Sequence, residues 1–149
     1  LRFVPVKPVG GQFRVTEKRG QLYLSPNNFK RYAPYIRLAE AVDGEALVGL
    51  YVRFYPLFQQ AYESLGYKGY FNDRLVAVLK SLLDTPEVQG PIKLVQPSVY
   101  YKYADPHLES LAAGQKILLR MGTDNARRIK AKLRELRQAL MRLGPKGPP

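Results

Sequence analysis

Several residue types that carry specific chemistry are missing from this chain. It contains no cysteine, which excludes a disulfide framework and thiolate chemistry. Its single histidine, His107, leaves carboxylates as the other metal ligands. Neither Asp43 with Glu45 nor Asp84 with Glu87 resembles a calcium loop. We therefore expect no bound metal and no cofactor.

Long apolar runs are also absent. Runs such as the one from Ala46 to Leu50 are far shorter than the roughly 20 residues that a membrane-spanning helix needs. No signal-peptide pattern precedes them. We expect this chain by itself to be soluble.

Catalytic motifs are missing as well. There is no P-loop, and Gly10-Gly11 lacks the strand-to-helix context of a dinucleotide fingerprint. Asp105, His107 and Ser110 are the residue types of a catalytic triad, but all three lie at one predicted helix start, where Asp105 is explained as the cap. The sequence thus predicts no catalytic residue and no enzyme, with an unrecognised hydrolase as the last alternative.

The 149 residues, of which 46% are hydrophobic, fit one ordinary globular domain. Prolines and glycines concentrate at both ends of the chain. We predict an extended lead over residues 1–11, a single globular domain over 12–143 and a flexible Gly/Pro tail over 144–149.

The pattern of apolar residues and turn residues predicts an α+β fold that is predominantly α-helical, with about five helices. Residues 13–24 alternate in polarity around a turn at Lys18-Arg19-Gly20, which indicates a small N-terminal β-hairpin. Four prolines and glycines over residues 86–97 exclude a long helix and predict an extended arm from Thr85 to Tyr103, which can add to the hairpin's sheet.

Capping residues place the helices. Asp43 is the predicted N-cap of a central helix that Pro56 should kink or restart near Tyr55. Asn72 is the predicted cap of the next helix. Asp105-Pro106 should start a helix that ends at Gly122, and residue 123 should cap the last helix.

An aromatic block marks the middle of the chain. Eight of the 17 Tyr and Phe residues lie between Tyr51 and Phe71. Most of them recur at helical spacing, so packing in the core is the favoured explanation and a ligand platform is the alternative. Tyr67 and Tyr70 follow a glycine and fall outside that periodicity. They form the candidate recognition loop.

The net charge of +12 is concentrated at the two ends of the chain. The last helix has an apolar stripe with bases on both of its flanks. A docked helix with a solvated basic face is the simplest interpretation, and an anionic membrane, an acidic protein and nucleic acid are the alternatives. The candidate surface for an anionic partner consists of Arg127, Arg128, Lys130, Lys132, Arg134, Arg137 and Arg142.

Four segments follow one another along the chain: RFYPLFQQAYESLGY, GYFNDRLVAVLKSLLDTPE, GPIKLVQPSVYYKYADPHLESLAAGQKILLRMG and DNARRIKAKLRELR. In this order they resemble an uncharacterised bacterial family, domain of unknown function number 3014. The resemblance runs from about Val4 to Leu143 and transfers no catalytic residue. It implies an N-terminal membrane anchor and a Pro-rich linker ahead of a periplasmic domain. Neither segment is in this chain, so we expect a truncated or processed form of a longer protein.

The leading hypothesis is a non-enzymatic interaction or scaffolding domain of the cell envelope, whose basic surface faces an anionic partner or a membrane surface. The partner is an unidentified protein or an anionic envelope component. The second hypothesis is a module that binds sugar or peptidoglycan through Tyr67 and Tyr70. Nucleic-acid binding is third, because no nucleic-acid-binding signature accompanies the charge. The sequence does not determine the oligomeric state.

Overall fold

The computed structural model describes residues 9–142. Residues 1–8 of the predicted lead, Leu143 and the predicted tail over 144–149 lie outside that range. The described chain forms two compact units, the first from residues 9–36 and 86–126 and the second from residues 37–85 and 127–142. That both together form the single domain predicted over 12–143 stays a prediction.

The first unit contains a four-stranded antiparallel sheet in the order β1-β2-β3-β4. The strands are β1 (Val15–Lys18), β2 (Gln21–Leu24), β3 (Lys93–Val95) and β4 (Lys102–Tyr103). Arg19 and Gly20 connect the first two strands with φ angles of 51° and 71°, as a two-residue hairpin turn requires. The predicted hairpin and the strand addition by the Pro-rich arm are both confirmed.

A buried asparagine holds the start of this sheet. Asn28 lies in the 3-10 helix Pro26–Tyr32 and has no solvent exposure. Its amide accepts from the backbone N–H of Arg14 at 2.9 Å and donates to the carbonyls of Arg14 and Ser25. These bonds satisfy polar groups that would otherwise be costly to bury. The core beside them contains Leu24, Leu94, Tyr103, Leu108 and Leu119.

The helix predicted from Asp105 to Gly122 is two helices, so that prediction was wrong in its extent. Asp105 does cap α4 (Pro106–Ser110) by accepting the N–H of His107, but the backbone at Leu111 and Ala112 is extended before α5 (Ala113–Arg120) begins. The break has a local cause, since the side chain of Gln115 accepts the N–H of Ala112 and starts a new helix there.

The second unit is helical. Its elements are α2 (Gly44–Ser64), α3 (Phe71–Leu83) and most of α6 (Thr123–Met141), with the end of α1 (Ala33–Ala41). Asp43 caps α2 as predicted, accepting from the N–H groups of Glu45 and Ala46. The fold class predicted from the sequence, α+β and mainly helical, is confirmed.

Two local predictions in the second unit need correction. The helix α2 continues through Pro56, so the predicted restart near Tyr55 does not occur, and the alternative of a kink there stays a prediction. The buried ring of Tyr55 helps to hold the helix in place. Asn72 does not cap α3, which begins at Phe71. Its side chain is buried and accepts a hydrogen bond from the hydroxyl of Tyr51 at 3.1 Å.

The core of the second unit joins α2, α3 and α6 through Val48, Leu79, Ala139 and Leu140. Burial of these side chains is the main stabilising contribution, at roughly 25 cal/mol for each Å² of apolar surface removed from water. No helix within residues 9–142 has both the length and the apolar character that crossing a bilayer requires.

Candidate functional site

An apolar groove opens on the surface of the second unit, between α2, α3 and α6. Its volume is about 290 Å³, and all of its lining side chains are uncharged. The lining comes from α2 (Leu47, Val48, Leu50, Tyr51, Phe54 and Phe58), α3 (Leu75 and Leu79) and α6 (Leu136 and Leu140). This volume is just below the range for small-molecule pockets, about 300–1,000 Å³, and suits a few inserted side chains.

The wall that α2 contributes is exposed to solvent. Leu47, Leu50, Phe54 and Phe58 follow one another at intervals of three or four residues, and each leaves 40–52% of its surface in water. Since adjacent residues rise about 1.5 Å along a helix, this wall is roughly 16 Å long. That length is three turns of helix.

The exposed wall revises the interpretation of the aromatic block. Core packing was the favoured explanation for the helical face that includes Phe54, Phe58 and Leu65, but Leu65 is 74% exposed and the two rings are about 40% exposed. The ring that is buried belongs to Tyr55, which lies at the edge of the same face with its ring 5.6 Å from that of Tyr51. Periodicity located a continuous apolar face correctly, and the structure shows that water covers much of it.

Stacked rings support the α2 wall at one end of the groove. The ring of Phe58 stacks on Tyr51 at 5.9 Å and on Phe71 at 5.6 Å, measured between centroids. The Tyr51 hydroxyl turns away from solvent to Asn72. Burial raises the pKa of Tyr51 to about 12, and the neighbouring Tyr55 adds to the shift.

We expect Tyr51 to ionise about two pH units later than an ordinary tyrosine. Because the folded state favours its neutral form, the stability that Tyr51 contributes is complete below the unfolded pKa of about 10 and is lost as pH rises through about 12. An alkaline titration at 295 nm checks this, since the difference between wild type and Tyr51→Phe should have its midpoint near 12. A difference curve centred near 10 would show a solvated phenol instead.

The loop between α2 and α3 holds both predicted recognition tyrosines on the surface. Tyr67 is 57% exposed and Tyr70 is 50% exposed. The ring of Tyr67 stacks on Tyr62 at 4.8 Å. Gln59 fixes the loop, because its amide donates to the carbonyl of Gly69 and accepts the N–H of Phe71. The loop therefore offers one supported exposed ring, at Tyr67, and a second ring three residues along.

The predicted basic surface on α6 is largely occupied by contacts inside the second unit. Arg128 forms a two-pronged ion pair with Glu40, and Arg142 pairs with Glu45 at 2.6 Å. Lys132 contacts Glu135 at 2.7 Å and donates to the carbonyl of Val42. The hydrogen bond from the Arg128 guanidinium lowers the pKa of Glu40. Much of this charge connects α6 to the segment around the start of α2.

Lys130 does not belong to the exposed surface at all. Only 5% of its area is accessible, and its ammonium donates to the carbonyl of Thr85. Arg137 is half-buried, and its Nε lacks a hydrogen-bond partner among residues 9–142. Arg127 and Arg134 are exposed. The seven predicted residues thus have different environments, although they share one helix.

The triad residue types at the start of α4 make local backbone contacts. Asp105 accepts the N–H of His107 at 2.8 Å, and the hydroxyl of Ser110 donates to the carbonyl of His107. Both are bonds that a short helix uses at its ends. No hydrogen bond joins the three side chains to one another in the described structure.

A family model for a protein of unknown function (DUF3014) matches residues 1–137. The chain belongs to this family. No curated protein and no solved structure matches the chain. Membership in DUF3014 therefore assigns no activity, and the chemistry of the groove has to be judged from its own residues. An apolar, open groove walled by a helix is suited to binding the apolar face of another helix.

Proposed function

We propose that this chain is a non-enzymatic interaction domain of the cell envelope, which binds a helical segment of a protein partner in the apolar groove. The observation that carries the proposal is the exposed wall of Leu and Phe side chains on α2. Its three turns match the three turns of a partner helix with apolar residues at i, i+3 or i+4, i+7, and i+10 or i+11.

Charge complementarity indicates an acidic partner. The guanidinium of Arg53 lies 5.8 Å from the centroid of Phe54, beside the groove wall. Arg137 follows the lining residue Leu136 on α6, and its Nε is buried without a hydrogen-bond partner in the described residues. The net charge of +12 also attracts an acidic partner over long range. The segment that fits is an amphipathic helix with Asp or Glu beside its apolar face.

The proposal includes the cellular location that the family resemblance implies. The domain is periplasmic and is held by an N-terminal membrane anchor, and the exposed arginines of α6 face an anionic partner. Fusion of a topology reporter to the full-length protein tests this setting. Activity of a periplasmic reporter supports it, and activity of a cytoplasmic reporter contradicts it.

Site-specific photo-crosslinking tests the groove. A photoreactive amino acid at Leu50, which lines the groove, should give one discrete adduct in cells. The same amino acid at Leu38, which is exposed at 66% in the same unit but does not line the groove, should not. The captured segment should be an amphipathic helix with acidic flanks. Equal crosslinking from both positions, or none from Leu50, would count against a specific groove partner.

Sugar or peptidoglycan binding remains the second candidate, because the exposed ring of Tyr67 is supported by stacking on Tyr62. Binding to muropeptides that disappears in a Tyr67→Ala/Tyr70→Ala variant, but persists in Leu50→Glu, would favour this candidate over the groove. The reverse pattern would favour the groove.

A further inference from the structure

Two turns of the first unit lie side by side at one end of its sheet. In the antiparallel register, Leu22 faces Leu94 and Tyr23 faces Lys93, so the start of β2 lies beside the end of β3. The β1-β2 turn at residues 18–21 is therefore adjacent to the loop over residues 96–101 that joins β3 to β4. We call these two adjacent turns the sheet tip.

The sheet tip exposes apolar side chains to an unusual degree. Val99 is 83% exposed and Tyr100 is 77% exposed, the highest values among the large hydrophobic residues of the described chain. The base of the loop is packed, since the ring of Tyr101 lies 5.9 Å from that of Phe13. The guanidinium of Arg120 lies over the ring of Phe13, 5.8 Å from the ring centroid. The packed base of the loop thus holds Val99 and Tyr100 in contact with water.

Cations surround that end. Lys18 and Arg19 lie in the first turn, and Lys102 begins β4 directly after the loop. All three are exposed, and no ion pair joins any of them to another residue of the range 9–142. A carboxylate that senses one of them is Glu109, whose pKa is lowered mainly by its hydrogen bond from Lys116 and to a smaller extent by Lys102. The segment over residues 88–104 contains no acidic residue. The register aligns Glu17 with Leu22, Leu94 and Tyr103 on one face of the sheet. Because side chains alternate along a strand, Lys102 lies on the other face, away from Glu17.

We infer that the sheet tip docks on an anionic lipid bilayer, with Val99 and Tyr100 entering the headgroup region and Lys18, Arg19 and Lys102 contacting lipid phosphates. An exposed aliphatic side chain beside a tyrosine suits the membrane interface, where an amphipathic ring is stabilised at headgroup level. Basic residues near an anionic surface add about a fivefold gain in affinity each. Tyr100 is the single ring at this end and its neighbour Val99 is aliphatic, so the tip lacks the row of rings that stacks successive bases, which favours lipid over nucleic acid. The inference does not rest on the groove or its partner.

The absence of tryptophan from the chain allows a direct test. A Val99→Trp variant of the whole chain carries one tryptophan, whose emission reports its surroundings. With phosphatidylcholine vesicles that contain 30% phosphatidylglycerol, emission should shift to the blue, and brominated lipid should quench it. Leu65→Trp, on an exposed leucine of the second unit, is the matched control and should show neither change. The inference is overturned if Val99→Trp is unaffected, whether or not the protein sediments with the vesicles.

A second pair of variants separates the tip from the general effect of net charge. Lys18→Gln/Arg19→Asn/Lys102→Gln should bind the anionic vesicles on the order of 100-fold more weakly, because three cations at the contact are lost. Arg53→Gln/Lys68→Gln/Arg74→Gln removes the same charge from the second unit and should change binding only a few-fold. Equal losses in both triple variants, or tighter binding to DNA than to vesicles, would overturn the inference. Leu50→Glu, which changes the groove, should leave vesicle binding intact. A negative result for lipid binding by the sheet tip is therefore distinct from a negative result for partner binding in the groove.

Discussion

Replacing Lys130 with Glu is expected to destabilise the second unit by about 3–5 kcal/mol, the usual result of leaving a buried charge uncompensated. Lys130 is 5% exposed, and its ammonium donates to the carbonyl of Thr85. A carboxylate at this position cannot donate to that carbonyl and would face it with the same sign of charge. Chemical denaturation followed by circular dichroism at 222 nm measures the loss.

Arg134→Glu is the control for this effect. It makes the same change of charge on the same helix, but at an exposed position, where substitutions usually alter stability by no more than about 0.5 kcal/mol. Lys130→Met adds a second control, because it removes the charge and keeps most of the packing volume. Similar losses for Lys130→Glu and Arg134→Glu would mean that Lys130 is a solvated surface residue after all.

Replacing Gly122 with Ala is expected to destabilise the first unit by about 3 kcal/mol. Gly122 follows α5 with φ of 85°, a conformation that costs a residue with a Cβ about 1–2 kcal/mol. A Cβ added there would lie 2.7–2.9 Å from three ring carbons of Phe29, and relieving such a clash costs a further 1–3 kcal/mol or so. The thermal unfolding midpoint and a denaturant titration both report the change.

Gly66 provides a matched control for backbone strain. It has the same φ of 85°, and a Cβ there would have no neighbour within 4 Å. Gly66→Ala should therefore show the backbone cost alone, about 1–2 kcal/mol. A smaller ring partner in Phe29→Leu should reduce the excess cost of Gly122→Ala. Equal costs for the two Gly→Ala variants would show that the Phe29 contact contributes nothing.

Features fixed by neighbouring residues could be predicted from the sequence. The hairpin followed from Arg19-Gly20 in the turn, and the cap of α2 followed from Asp43, because both depend on hydrogen bonds that span only a few residues. The prediction that the Pro-rich arm adds strands was also confirmed, since its alternating residues had to bury one face.

The environment of each base on α6 could not be predicted, because its partner is distant in the sequence. Arg128 meets Glu40 across 88 residues, and Arg142 meets Glu45 across 97. Helical periodicity orders the side chains around one axis but does not show which neighbour covers each flank. Lys130 therefore looked like its exposed neighbours, although it is buried against the Thr85 carbonyl.

The groove was missed for a related reason. The apolar face of α2 was located from its spacing, and a periodic apolar face was assigned to the core by general rule. That rule does not say how much of a face its neighbours cover. Here α3 and α6 bury Val48 of α2 but leave Leu50 and Phe54 substantially exposed. The signal available in the sequence was an apolar face on α2 that extends over more turns than its packing against α3 and α6 needs.

The central claim is that the groove between α2, α3 and α6 binds an acidic amphipathic helix. The most direct measurement is the affinity of a synthetic peptide, made from the segment crosslinked at Leu50, for the purified chain and for its Leu50→Glu and Leu38→Glu variants. We predict that Leu50→Glu weakens the peptide's binding at least about tenfold, because it puts a carboxylate into the apolar wall beside acidic flanks, whereas Leu38→Glu leaves it unchanged. Equal affinity of all three proteins for the peptide would contradict the account.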